Sequence, residues 1–123
     1  MFTKKASVAL MFFIISVLLF GCSSGSSEPT YIMLNASVKT DSLYLYIENK
    51  DDFVWDNAEI KINEDYKYKA DFLAKGNSSL RLVDFTKKDG ERFDPVTKKV
   101  MKVNIYVPKT EDRKDGFWIG EFK

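Results

Sequence analysis

The sequence predicts an all-β protein, an antiparallel β-sandwich of seven to eight strands, and three observations carry that expectation. Apolar residues recur with period two through nearly all of the chain beyond residue 30, the pattern that gives a strand one buried and one solvated face. Turn-forming residues interrupt these runs at roughly 8–12-residue spacing, as in all-β sandwiches. No window of the same region carries an apolar stripe at helical spacing. A small barrel is the competing architecture.

Ile32, Leu34, Ala36 and Val38 form the first run. After Thr40-Asp41, Leu43, Leu45 and Ile47 alternate with Tyr44 and Tyr46. Ala58, Ile60 and Ile62 lead across Asn63-Glu64-Asp65 into Tyr66, Tyr68, Ala70 and Phe72. This is the clearest hairpin, because so short a connection forces antiparallel pairing. Lys75-Gly76-Asn77 is a break, with Ser78-Ser79 in the turn, and Leu80 to Phe85 reads as a fifth strand. Lys88-Asp89-Gly90 is a turn whose glycine supplies a positive φ. A short extended piece at Arg92-Phe93 is stopped by Pro95. Met101, Val103, Ile105 and Val107 make the longest late alternation, a charged loop covers Thr110 to Asp115, and Gly116 to Phe122 closes the fold.

The stretch from Glu48-Asn49 through Trp55 to Ile62 resembles the corner between the second and third strands of bacterial immunoglobulin-like modules. In those, an asparagine closes one strand and an aromatic residue precedes the next. The resemblance runs through Tyr66, Tyr68 and Asp89-Gly90-Glu91-Arg92-Phe93 to about Ile105. It implies an immunoglobulin-like sandwich of the disulfide-free kind and no particular activity.

Ahead of the strands, Lys4 and Lys5 precede an uncharged apolar run of 15 residues, Ala6 to Phe20. A bilayer span needs ~20 residues, so the run reads as a signal-peptide helix, with an uncleaved N-terminal anchor as the alternative. It ends in Leu19-Phe20-Gly21-Cys22, which resembles the lipobox of bacterial lipoproteins, although Phe20 stands where a smaller residue is usual. The resemblance implies cleavage between Gly21 and Cys22 and a diacylglycerol, with palmitate-type chains, on the Cys22 sulfur. Residues 1–21 are then the signal peptide, 22–30 a lipidated Ser/Gly-rich tether and 31–123 the sandwich. The implied location is exported and lipid-anchored, in the cell membrane or the outer membrane. Ser23 replaces the aspartate that in enteric Gram-negative bacteria often signals retention in the inner membrane, so a Gram-negative host implies the outer one.

The chain has 19 basic and 18 acidic residues, and the leader holds two of the lysines and no acid, leaving a net charge of −1 beyond it. Such a balanced surface gives no footprint for nucleic acid. Histidine is absent, which removes the commonest general base and metal ligand, and the single cysteine is assigned to lipid. The sequence therefore reads as a non-enzyme without a cofactor or metal. Two acidic loops, Asp51/Asp52/Asp56 and Asp84/Asp89/Glu91/Asp94, lack the spacing of a dedicated calcium loop and read as solvated turns. Aromatics are 15% of the chain, and Phe53, Trp55, Phe93, Phe117 and Trp118 fall in or beside expected loops. Phe53, Trp55, Phe117 and Trp118 are the candidate binding aromatics, set against the need of a small disulfide-free core for large side chains. The expected role is a non-catalytic binding or structural module at the cell envelope, with an envelope protein or glycan as partner. An envelope inhibitor or small-ligand-binding lipoprotein is the alternative, and a hydrolase built on a carboxylate pair a third.

Overall fold

Alternation in the sequence becomes two sheets in the computed structural model, which describes residues 30–123. Eight strands follow in chain order: β1 (Tyr31–Met33), β2 (Ala36–Thr40), β3 (Tyr44–Asn49), β4 (Trp55–Ile62), β5 (Tyr66–Leu73), β6 (Gly76–Arg81), β7 (Lys102–Val107) and β8 (Asp115–Glu121). One sheet has the order β1-β8-β7-β4-β5 and the other β2-β3-β6. The only helical piece among the described residues is a 3₁₀ turn at Leu82–Asp84. The inward side chains of both sheets, among them Leu45, Ile47, Ile60, Ile62, Val103 and Ile105, join in one core. The architecture is thus all-β and sandwich-like. Gly21, Cys22 and the apolar run before them lie outside the described residues.

The pairing is antiparallel with one exception. β1 runs parallel to β8, with Tyr31 beside Asp115 and Met33 beside Phe117. The expected first strand is really two: the chain leaves the five-stranded sheet at Leu34-Asn35 and pairs β2 with β3 in the other. Neither glycine nor proline marks this crossing. Leu34 makes it by turning its side chain into the core, while its N–H still bonds the Phe117 carbonyl at 2.9 Å.

The β4–β5 hairpin forms where expected, with Ile62 opposite Tyr66 across Asn63-Glu64-Asp65. Its far end corrects the simple alternation. Ala58 and Ala70 point inward, but so do Trp55 and Leu73, which have the opposite parity, although the register of the pair is unbroken. Asn57 has φ 55, a left-handed conformation that rotates the strand and transfers the inward direction to its neighbours. Phe72, expected inside, is therefore 61% exposed.

A second correction concerns β6. It starts at Gly76 (φ 96) and ends at Arg81, so Ser78 and Ser79 are strand residues opposite Ile47 and Tyr46, not a turn. The expected strand to Phe85 stops early because Leu82–Asp84 winds into the 3₁₀ turn, which drops Leu82 into the core. The long connection to β7 then folds back over the open edge of β5. Thr86 exchanges backbone hydrogen bonds with Lys67 at 2.9 and 3.1 Å, and Phe85 and Phe93 pack their rings on Tyr68 and Tyr66. An edge that would otherwise offer free N–H and C=O groups is blunted.

Along β8 the inward positions read Gly116, Trp118, Gly120. A Cβ on Gly120 would lie 2.3 Å from the Trp118 ring, and one on Gly116 2.5 Å from the Leu34 side chain. The two glycines make room for the larger neighbours. Gly120→Ala should lower stability by about 1–3 kcal/mol through overpacking, because the indole ring is rigid and must move as a whole. The denaturant midpoint measures it; an unshifted midpoint would mean the ring has another place to go.

Candidate functional site

Phe117 and Trp118 are adjacent, so β8 sends their side chains to opposite faces of the sheet. Trp118 packs inward against the core and Phe117 faces out. They form no joint patch, and the expected pair is corrected to Phe117 alone. Trp55 is fully buried, with its Nε1–H donating to Asp51 Oδ2 at 3.0 Å, and Phe93 is equally enclosed. Neither presents a surface to a partner. Phe53 lies at the rim of the core beneath the Arg113 guanidinium, 4.0 Å from its ring centre.

Around Phe117 the register of three strands assembles a different set. β1 brings Tyr31 and Met33 alongside, and β7 brings Tyr106 opposite Phe117 and Asn104 opposite Ile119. The Phe117 ring lies between Tyr31, edge-on at 5.6 Å, and Tyr106, tilted at 5.0 Å. Met33 is 66% exposed, Ile119 59%, Tyr31 45% and Phe117 36%. Large apolar side chains thus stand on the outward phase of the two strands at one edge of the sheet.

Polar groups flank this ridge. Tyr106 donates its hydroxyl to Asp115 Oδ1 at 3.1 Å, and the same oxygen accepts the Lys109 N–H at 2.8 Å. The bond to the Asp115 carboxylate raises the Tyr106 hydroxyl above its ordinary pKa, so the phenol stays protonated as a donor. A shallow groove of about 510 Å³ runs beside it, lined by Glu59, Lys61, Asn104 and Ile119 among others. The Asn104 Oδ1 is buried at this groove without a hydrogen-bond partner.

The outer face of the three-stranded sheet is polar by contrast. Ser37, Lys39, Glu48 and Asn77 line a smaller hollow around Tyr46. There Asp41 accepts the Tyr46 hydroxyl at 2.6 Å and the N–H groups of Leu43 and Tyr44. These bonds, that from Tyr46 first, hold the Asp41 carboxyl below its usual pKa.

Among the described residues Asn49 is the buried polar one. Its Nδ2 donates to the carbonyls of Phe53 and Leu73 at 3.0 and 3.1 Å, and its Oδ1 accepts the Asp51 N–H at 2.9 Å. Asp51 in turn holds Trp55 and the Asn35 N–H. The corner singled out in the sequence is a hydrogen-bonded plug that lets β3 cross to β4 at one end of the core.

In the first acidic loop Asp51 makes these bonds, and the second loop is built from similar contacts. Asp84 pairs with Arg81 at 3.1 Å, Glu91 with Lys87 at 3.6 Å, and Asp89 and Asp94 cap the turn N–H groups of Glu91 and Val96. The bonds from Val96 and then Thr97 hold the Asp94 carboxyl below its ordinary pKa. Among the described residues no three acid or sulfur side chains converge as a metal cage would require.

The outward residues Tyr31, Met33, Tyr106 and Ile119 were not among the expected binding positions. The available signal was phase: on β1 and β8 large apolar residues occupy the positions that alternate with the buried ones. No family model matches the chain, and neither a curated protein nor a solved structure is significantly similar to it.

Proposed function

We propose that this protein is a bacterial envelope lipoprotein: processed at Gly21-Cys22, acylated on Cys22, and carrying an immunoglobulin-like β-sandwich that binds without catalysing. The membrane, through the lipid, is one partner, and an envelope component on the outward face of β1, β8 and β7 is the other. The observation that carries the reading is the junction between the two parts. The chain arriving from Cys22 joins the fold at Tyr31, itself an exposed ring of the aromatic and aliphatic ridge. Exposed apolar surface gathered in one place is the mark of an interaction site.

The immunoglobulin-like assignment is supported by the strand order. β2-β3-β6 faces β1-β8-β7-β4-β5, and the chain crosses between sheets after β1, β3, β5 and β6, as Greek-key sandwiches do. The non-catalytic assignment is supported by the use of the carboxylates, several of which are engaged in caps and ion pairs, and by a chain without histidine.

Acylation has a direct test. In cells given radioactive palmitate the parent chain should take up label, and Cys22→Ala should take up none and accumulate as the longer precursor. Equal labelling of the two would remove the anchor.

A further inference from the structure

We infer that the outward face of the five-stranded sheet, at its β1–β8 edge, rests on the lipid bilayer itself, so that the domain lies flat on the membrane with its three-stranded sheet turned away. The inference rests on the Cys22 anchor proposed above and names the component that meets this face.

Distance is the first argument. Eight residues, Ser23 to Thr30, separate Cys22 from Tyr31. Fully extended they reach ~26–29 Å, on the order of one diameter for a domain whose radius of gyration is ~13 Å. A lipid on Cys22 therefore keeps Tyr31 within that distance of the membrane surface, close enough for the face that carries Met33, Phe117 and Ile119 to reach it.

Chemistry is the second. Flexible aliphatic tips flank two tyrosines and a phenylalanine, a set suited to the boundary between headgroups and acyl chains, where amphipathic rings concentrate. The outer face of the three-stranded sheet sets its Tyr44 and Tyr46 rings among Ser37, Lys39, Glu48 and Asn77 and is polar by comparison.

Charge is the third. On the same outward face Glu59 is held by Lys67 at 3.7 Å, and Asp115 is taken up by Tyr106 and Lys109. Glu121, opposite Lys102, and the exposed Asp56 and Asp71 on β4 and β5 are its remaining strand carboxylates. Lys61 and Lys69 make no ion pair among the described residues and stand toward the other edge, where anionic headgroups would meet them. Lysines beside an anionic membrane surface are attracted to it.

The test uses the full lipidated protein in vesicles of phosphatidylcholine and phosphatidylglycerol, with bromine on the acyl chains as a short-range quencher. Two exposed positions carry reporters, Met33→Trp on the proposed docking face and Tyr46→Trp on the opposite sheet, each read as emission in excess of the parent. Emission from Met33→Trp should fall roughly two-fold on bromination and that from Tyr46→Trp should not change, as interfacial burial of one face requires. Lys61→Glu with Lys69→Glu should weaken the quenching in phosphatidylglycerol-rich vesicles and leave it unaltered in pure phosphatidylcholine. Protein that floats with the vesicles while Met33→Trp stays unquenched would overturn the docking and leave the anchor intact. The same holds if that reporter responds instead to protein density, as a second copy on the face would cause, or to added cell-wall glycan. Protein that does not float would overturn both.

Discussion

Asn49→Asp should destabilise the fold by about 4 kcal/mol at neutral pH, and by less as the solution is acidified. The change is nearly isosteric, so packing is held constant and only the hydrogen-bond chemistry differs. The Asn49 amide donates to two carbonyls, those of Phe53 and Leu73, in a buried site. A carboxylate there has no hydrogen to give and puts its negative charge against both oxygens. Its folded pKa must rise above the unfolded value of ~3.9. Below the unfolded value the group is neutral in both states and the electrostatic penalty vanishes; it grows as pH rises toward the folded pKa. Asn49→Ala supplies the reference, since it leaves both carbonyls unpaired without introducing charge. Denaturant midpoints at about pH 4 and pH 7, each compared with the parent, should diverge for the aspartate variant and run level for alanine. Parallel losses for the two variants would mean that water reaches the corner and solvates the carboxylate.

That corner was legible as architecture and misleading as a site. Asn49 and Trp55 in sequence mark a crossing between strands, and the structure builds the crossing on them. Trp55 counted as a binding candidate because it falls in an expected loop, yet β4 begins at that residue and Asn57 turns its ring inward. A single left-handed residue inverts which neighbour is buried, and alternation read along one strand carries no trace of it. The β4–β5 hairpin was legible because its connection is short and both arms alternate. The division of the first run into β1 and β2 was not, because Ile32, Leu34, Ala36 and Val38 keep one phase while the chain changes sheets between them. The outward ridge stayed hidden for a related reason. Tyr31 and Met33 become neighbours of Phe117 through a parallel pairing between the first strand and the last, and that pairing is a property of the assembled sheet.

Asn63→Ala should cost about 2–3 kcal/mol and should free the chain ahead of β7 before the rest of the fold opens. Asn63 opens the tight turn with φ 52. Its side chain reaches across to a segment far along the chain: Nδ2 donates to the Lys99 carbonyl at 2.9 Å, and Oδ1 accepts the N–H groups of Met101 and Lys102 at 2.8 and 3.1 Å. Its own N–H donates to the Lys102 carbonyl at 2.9 Å, a bond that alanine keeps. The variant therefore loses the three side-chain bonds and holds alanine in a left-handed conformation. Asn63→Gly loses the same bonds without the conformational strain and should be more stable than Asn63→Ala by about 1 kcal/mol. The connection from β6 to β7 covers residues 82–101, and closing so long a segment costs entropy that local contacts must offset. Asn63 fixes its end at the point where the chain must rejoin the sheet beside β4. Amide hydrogen exchange should accordingly show Met101 and Lys102 losing protection in both variants while the central amides of β4 keep theirs. Retained protection at Met101 and Lys102 would mean that the β4–β7 pairing alone sets the register, and equal stability of the alanine and glycine variants would mean that the turn carries no strain.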